Sequence, residues 1–518
     1  MSHYSLTSSV VVALAALLCA CAEPAPSIED AVSANMNRTD PSLVSTRSGP
    51  VSGLFMGDGS VQFRAIPYAE APVGERRWRA PEPVAPWSDV RRSETPAPAC
   101  LQADLGWNGT DRANMSEDCL FLEIRTPDIE ASSLKPVMVF IHGGANVGGR
   151  GTWAVDGTLH QQDVVVATLH YRLGVFGFMA HPALSAEQDG ASGNYALMDQ
   201  QLGLQWIKDN IAAFGGDPEN ITIFGASAGS QAVALHQQAP ASQGLFQRAI
   251  QQSGSSNFSL PSRPLTAAET LGMAIAAKAG LPAEATAADL RALPGSVLLD
   301  AQQTVDLPAG IERWQIFMAP TIDGRVLTEP TEDVLARGDA APVPLLAGWA
   351  AKESPMFASD EDAARAIPAL FGEHTDGAFA YYGWGEGNLP VSSNRLGSIA
   401  IQLATDINYR CPMIFTGRAA ANAGQSVWLY SFDYGPTDKI SHGVETNYVM
   451  GFNFLDHGAL PIQSYWANFA RNGDPNGPDL AQWPPYTTSN RSYLEFSNKG
   501  PVVDANPREP LCDWMAHP

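Results

Sequence analysis

Apolar residues in this chain fall into short continuous runs separated by turn residues. Pro136 to Ile141 and Val164 to Leu169 are unbroken apolar runs of the kind a parallel strand needs when both of its faces are covered. Val61-Gln62-Phe63 and Phe121 to Ile124 are shorter strand candidates, and Pro344 to Gly348 and Val427 to Phe432 add two more buried strands. Between them, Leu197 to Ile211 places Leu197, Leu202, Leu204, Trp206, Ile207 and Ile211 among polar residues at helical spacing, and it stops near Gly215-Gly216-Asp217-Pro218. A strand over Ile221 to Phe224 follows. It runs into Gly225-Ala226-Ser227-Ala228-Gly229 and then into the small apolar run Ala232 to Leu235, which can start a helix. Strands alternating with helical stretches predict the α/β class, with a mostly parallel central sheet and helices on both faces.

The strand, G-x-S-x-G turn and helix in sequence are the context of a nucleophile elbow, with Ser227 at the apex. Glycines two residues to either side are expected because so sharp a turn brings strand and helix backbones together, where a Cβ would clash. A serine is a weak nucleophile until a base takes its proton, and that base needs an acid behind it. In elbow architectures these follow in the order serine, acid, histidine. Five histidines follow Ser227, namely His236, His374, His442, His457 and His517; His236 lies in the helix the elbow launches, and His517 is next to the last residue. His442 lies shortly after a buried strand, where such sheets place catalytic groups beyond the carboxyl ends of their strands. Glu353 follows its strand in the same way. Asp323, before Gly324, reads as a turn residue, and Glu445, three residues beyond His442, competes for the role of acid. His142-Gly143-Gly144-Ala145, at the end of the Pro136–Ile141 strand, is a variant of the HGGG turn whose amides face a developing oxyanion.

Composition changes this picture in three places. With 518 residues, 45% hydrophobic and 16% charged, the chain can bury a large core, and residues 51–518 contain no linker or charge run, so one domain is expected there. The formal net charge of -23 gives no basic face for phosphates, which excludes a nucleic-acid partner. No metal-ligand cluster, P-loop or dinucleotide fingerprint is present in the sequence, so neither a metal nor a cofactor is expected. At the amino terminus, Val10 to Leu18 is an apolar stretch too short to span a bilayer, followed by Cys19-Ala20-Cys21-Ala22 and a polar run. This predicts an export signal over residues 1–22, although no Lys or Arg precedes Arg38. Two processing readings compete: an A-x-A site at Ala20 and Ala22, or a lipobox over Leu18 to Cys21 that makes residues 1–20 a lipoprotein signal and Cys21 the lipidated first residue. The second is preferred because residues 23–50 then serve as a flexible tether. The protein is thus expected to be exported, either as a periplasmic or outer-membrane lipoprotein anchored through Cys21 or as a secreted protein.

From about Gly53 to Trp514 the chain resembles the type-B carboxylesterases, which include the cholinesterases and bile-salt lipases. The matching motifs, in order, include Ile66-Pro67-Tyr68-Ala69, Ser116-Glu117-Asp118-Cys119-Leu120 and Tyr171-Arg172-Leu173-Gly174. Gly193-Asn194-Tyr195, Phe214-Gly215-Gly216-Asp217-Pro218, Gln252-Ser253-Gly254-Ser255 and Trp483-Pro484-Pro485-Tyr486 continue the series. The resemblance implies an α/β-hydrolase fold and hydrolysis of small-molecule carboxylic esters through an acyl-enzyme. It assigns Ser227 as nucleophile, Glu353 as acid and His442 as base, with the amides of Gly144, Ala145 and Ala228 as oxyanion donors. Four cysteines outside the signal allow three pairings, and the resemblance selects Cys100–Cys119 and Cys411–Cys512. There are departures. Ala226 stands where the family usually has a glutamate, and Leu260 stands where cholinesterases have an acyl-pocket tryptophan. The loop from Cys100 to Cys119 is shorter than its cholinesterase counterpart, and its Trp107 is out of register with the tryptophan that grips choline. A choline ester is therefore not the expected substrate. The nucleophile does not choose the leaving group, so amide or thioester cleavage at the same triad is the alternative activity. A non-catalytic binding protein of the same fold is the alternative class, disfavoured because Ser227, Glu353 and His442 are all present.

Lipidation has a direct test: Cys21→Ser should release the protein from membranes, whereas a wild-type protein already soluble with its amino terminus at Glu23 would establish plain secretion.

Overall fold

The structure, a computed structural model, describes residues 40–518 apart from 131, 259, 308–312, 385–394, 437, 453–459, 506–507 and 516–518. The expected export signal, Cys21 and the first part of the expected tether lie outside the described residues. The rest of that tether is corrected: Leu43–Ser45 is a strand that pairs with Pro50–Ser52, and Val44 is fully buried. Alternate burial of that short strand makes residues 40–50 part of the folded body rather than a free linker.

Eleven strands form the central sheet: β1 (Leu54–Phe55), β2 (Val61–Pro67), β3 (Phe121–Thr126), β4 (Lys135–Ile141), β5 (Val165–Leu169), β6 (Gly216–Ala226), β7 (Arg248–Gln252), β8 (Leu345–Ala350), β9 (Val427–Asp433), β10 (Ser492–Ser497) and β11 (Gly500–Ala505). Their spatial order is β11-β10-β9-β8-β7-β6-β4-β5-β3-β2-β1. The block from β10 to β5 is parallel, and antiparallel pairs occur on both flanks of it. This is an α/β-hydrolase sheet.

The unbroken apolar runs follow from burial on both faces. On β4, Val137, Val139 and Ile141 point into one core, and Met138 and Phe140 point into the other. The first core is covered by helices α1 (Tyr195–Asn210), α2 (Ala228–Gln238), α3 (Ile399–Thr405) and α4 (Cys411–Asn422). Helices α5 (Val444–Met450) and α6 (Ile462–Asn472) cover the second, where Tyr465, Trp466 and Phe469 pack on Trp428, Tyr430 and Phe496. The last helix, α7 (Glu509–Trp514), docks near α4. Strand register aligns Ala226 with Gln252, Gln252 with Gly348, and Gly348 with Tyr430. The loops after β6, β7, β8 and β9 therefore leave the sheet side by side at its carboxyl edge. Among the described residues no helix is long and apolar enough to cross a membrane.

Disulfides join Cys100 to Cys119 and Cys411 to Cys512, with Cα–Cα distances of 5.0 and 5.2 Å. Such bonds belong to an oxidising compartment. Loop closure makes the shorter bridge worth about 3 kcal/mol and the longer up to about 4.7 kcal/mol. Alkylation of the denatured, unreduced protein should accordingly find no free thiol at these four positions. Reduction should lower Tm, and four reactive thiols would contradict both bonds.

Candidate active site

The elbow is built by backbone crowding. Ser227 has φ 59° and ψ −128°, a left-handed conformation that costs a non-glycine residue about 1–3 kcal/mol. The neighbouring strands hold it there. Its N–H donates to the Gln252 carbonyl at 2.9 Å, and its own carbonyl accepts from the Gln231 N–H at 3.0 Å. A methyl group on Gly229 would lie 2.0 Å from the Ile141 carbonyl oxygen, and one on Gly225 would lie 2.6 Å from the Gly229 backbone. Both glycines are therefore obligatory, as the sequence predicts. Ser227 is partly exposed while every other residue from Ile221 to Ser230 is buried.

The turn His142–Ala145 lies against this apex. A Cβ on Gly143 would sit 2.5 Å from the Ala226 carbonyl oxygen and 3.1 Å from Ser227 Cβ. Gly144 and Ala145 have φ of 115° and 52°, a tight left-handed path that turns the chain over Ser227. Ala228 is the first residue of α2, so its N–H is among those an α-helix cannot satisfy internally. His142 stacks on Tyr171 at 4.3 Å and is tied by Nδ1 to the Gly143 carbonyl at 2.9 Å. Burial lowers its pKa to about 4, so it is neutral and braces the turn. The sequence reading missed Asn146, whose amide donates to Gln231 Oε1 at 3.0 Å and to the Phe317 carbonyl at 2.9 Å, pinning the turn to α2. Its place directly after the glycine turn was the one available signal.

The expected acid and base meet. His442 Nδ1 and Glu353 Oε2 are 2.6 Å apart across 89 positions of sequence. Glu353 is fully buried at its side chain, and its other oxygen accepts from the Ala350 N–H at 2.7 Å. For His442, burial lowers the pKa, but the charge of Glu353 and its hydrogen bond more than compensate, and the imidazole titrates above the ordinary 6.5. The Tyr409 ring packs on His442 with centroids 4.9 Å apart, and its edge meets Phe258 at 5.6 Å. Phe258 in turn lies against Gly254, which sits beside the Ser227 carbonyl, so a chain of contacts runs from the serine main chain to the histidine ring. Helical periodicity hides Tyr409, and nothing in the sequence singled it out.

The competitors separate on geometry. Glu445 is fully buried, accepts from Ser253 Oγ at 3.1 Å, and has no hydrogen-bond partner on Oε2. Burial and the nearby charge of Glu353 raise its pKa above the usual carboxylate range. Asp323 Oδ1 accepts from three backbone N–H groups of its own turn, those of Arg325, Val326 and Leu327. His236 is buried between Ser242 and Gln200, with its pKa lowered to about 3 by burial. His457 and His517 lie outside the described residues. Trp107 is 60% exposed rather than packed in the core, and its ring lies over Gly148. No cluster of metal-ligand side chains occurs among the described residues. A cavity of about 540 Å³ opens between Thr331–Arg337 and α4, with Ser255 and Asn257 among its walls and Ser227 not among them.

The comparisons agree with this architecture. The carboxylesterase family profile matches residues 40–515. The para-nitrobenzyl esterase of Bacillus subtilis (strain 168) is 33% identical over 480 residues, covering 87% of this chain and 94% of that protein. The acetylcholinesterase of Bungarus fasciatus is 32% identical, covering 92% of this chain and 86% of its own. The solved structure of a PNB esterase superposes with a TM-score of 0.76 at 31% identity, over 91% of this chain and 99% of that one. Sequence, sheet and neighbours together establish that the chain belongs to the carboxylesterase family and is a carboxylic-ester hydrolase.

Proposed function

We propose that the protein hydrolyses small uncharged carboxylic esters through an acyl-enzyme on Ser227, with His442 as general base and Glu353 as its orienting acid. The 2.6 Å contact between His442 and Glu353 carries this reading, because it fixes the ring so that Nε2 is the nitrogen available to a nucleophile. Neutral His442 takes the Ser227 proton as Oγ attacks the ester carbonyl. The negative oxygen is received by the N–H groups of Gly144, Ala145 and Ala228. The imidazolium, stabilised by Glu353 without passing its proton on, protonates the leaving alcohol, and water then repeats the cycle to free the acid. Ala226, Leu260 and the exposed Trp107 do not supply the aromatic faces that a quaternary ammonium prefers, which favours neutral alcohol groups. The para-nitrobenzyl esters named for the bacterial relative are suitable probes. The two disulfides support export of the folded enzyme.

A fluorophosphonate should label Ser227, and Ser227→Ala, His442→Ala and the double variant should be about equally inactive, with losses on the order of 10⁶ in kcat. Failure to label wild-type protein that is folded would instead indicate a binding protein. The raised pKa of His442 fixes a second expectation. The base is lost as pH falls through that pKa, so the acid limb of kcat/KM should lie above pH 6.5. Glu353→Gln removes the charge that raises it, leaving burial to dominate, so the limb should move to lower pH while kcat falls. An unmoved limb, or a larger loss in Glu445→Gln than in Glu353→Gln, would overturn the assignment of the acid.

A further inference from the structure

The two partners of Ser227 come from loops after different strands, and one feature of the fold touches both. Between α3 and α4 the chain makes a π-helical turn, Asp406–Arg410. Such a turn inserts an extra residue and redirects the side chains around it, and it persists only where surrounding contacts hold it. Thr405, just before it, accepts the Glu353 N–H on Oγ1 at 3.2 Å. Tyr409, within it, lies on the His442 ring. The end of α3 and the turn that follows it thus touch the main chain of Glu353 and the face of His442.

What holds the turn comes from the far end of the chain. Asp406 is fully buried and accepts from Tyr382 Oη at 2.8 Å, from the Arg410 guanidinium one turn on, and from Arg508 Nη2 at 3.1 Å. Arg508 reaches in with its side chain 15% exposed, gives Nη1 to Gln402 Oε1 at 3.0 Å, and lies over the rings of Tyr381 and Tyr382 at 5.0 and 5.3 Å. Immediately after the turn, Cys411 is bonded to Cys512, four residues beyond Arg508. The carboxyl-terminal segment therefore grips the turn on both sides, by a buried ion pair and by a covalent bond. The hydrogen bonds of Arg508 and Asp406 go to Tyr382, Gln402, Arg410 and each other, so their influence on Glu353 and His442 passes through the turn and the end of α3.

We propose that the π-turn Asp406–Arg410 sets the mutual position of the triad's acid and base, and that Arg508 is a positioning residue that keeps this turn in register. The proposal rests on the triad reading above. Removing Arg508 leaves Asp406 with one guanidinium fewer in a site closed to water, which the turn relieves by shifting. Small displacements of a base from its nucleophile are expensive in rate and leave substrate binding largely alone.

The test measures kcat and KM on a para-nitrophenyl ester per site labelled by fluorophosphonate, so that labelling reports the triad and rate per labelled site reports the coupling. Arg508→Met should lose between about 10-fold and about 100-fold in kcat. Its KM should stay within about 2-fold of wild type. Arg508→Lys should recover most of that loss. Thr405→Val, which keeps the volume and deletes the acceptor for Glu353, should lower kcat in the same manner, and it decides the matter alone if Arg508→Met does not fold. Unchanged kcat per labelled site in Thr405→Val or in folded Arg508→Met, or a rise in KM at constant kcat, overturns the proposal. Absence of labelling in the wild type would overturn the triad reading instead.

Discussion

Strand and helix backbones crowd together at the site where α2 leaves β6 against the end of β4. Gly229 stands where a methyl group would overlap the Ile141 carbonyl, and Gly225 stands where one would overlap Gly229 itself. That crowding is what forces Ser227 into its strained conformation, and the strain is tolerable because β7 accepts the Ser227 N–H and α2 begins at once. Everything else at the site is arranged around this fixed point. The His142–Ala145 turn crosses it from β4, and Glu353 and His442 arrive from β8 and β9 on the far side of β7. A parallel sheet buried on both faces supplies the rigidity, since none of these strands can slide without moving a full apolar row into the opposite core.

Electrostatics then divides the buried carboxylates. Glu353 has a backbone donor for one oxygen and His442 for the other, so both of its oxygens are partnered. Glu445 shares the neighbourhood with one oxygen unpartnered, and burial and the Glu353 charge raise its proton affinity. Two like charges in so dry a place are costly, and it is the residue with the poorer hydrogen bonding whose pKa is raised. Ala226 sharpens this division. The carboxylate that the family usually carries beside the nucleophile is missing, so Glu353 and Glu445 are the carboxylates that act on His442.

Much of this was legible along the chain because it is local. Strand runs, the helix at Tyr195–Asn210 and the glycine spacing around Ser227 each follow from periodicity or from backbone sterics within a dozen residues. The helix began two residues earlier than its apolar pattern suggested, and β6 extended back to Gly216, because neighbouring β4 offers it hydrogen bonds that composition does not announce. Residues 40–50 were misread for a related reason: Leu43–Ser45 looks like linker until the partner strand Pro50–Ser52 folds back on it.

By itself the sequence determined the α/β class, the elbow at Ser227, the glycine turn after β4 and a short roster of candidate acids and bases, since residue type and spacing act there through the backbone's own sterics. Family resemblance chose Glu353 from that roster and paired the cysteines. Only the tertiary structure decided that β4 lies between β5 and β6, that Glu353 and not Glu445 bonds His442, and that Thr405 and Tyr409 come to lie against these two while Arg508 pairs with Asp406 between them. These depend on contacts between residues far apart in the chain, 89 positions for His442 and Glu353, and no local pattern encodes where two distant loops will meet.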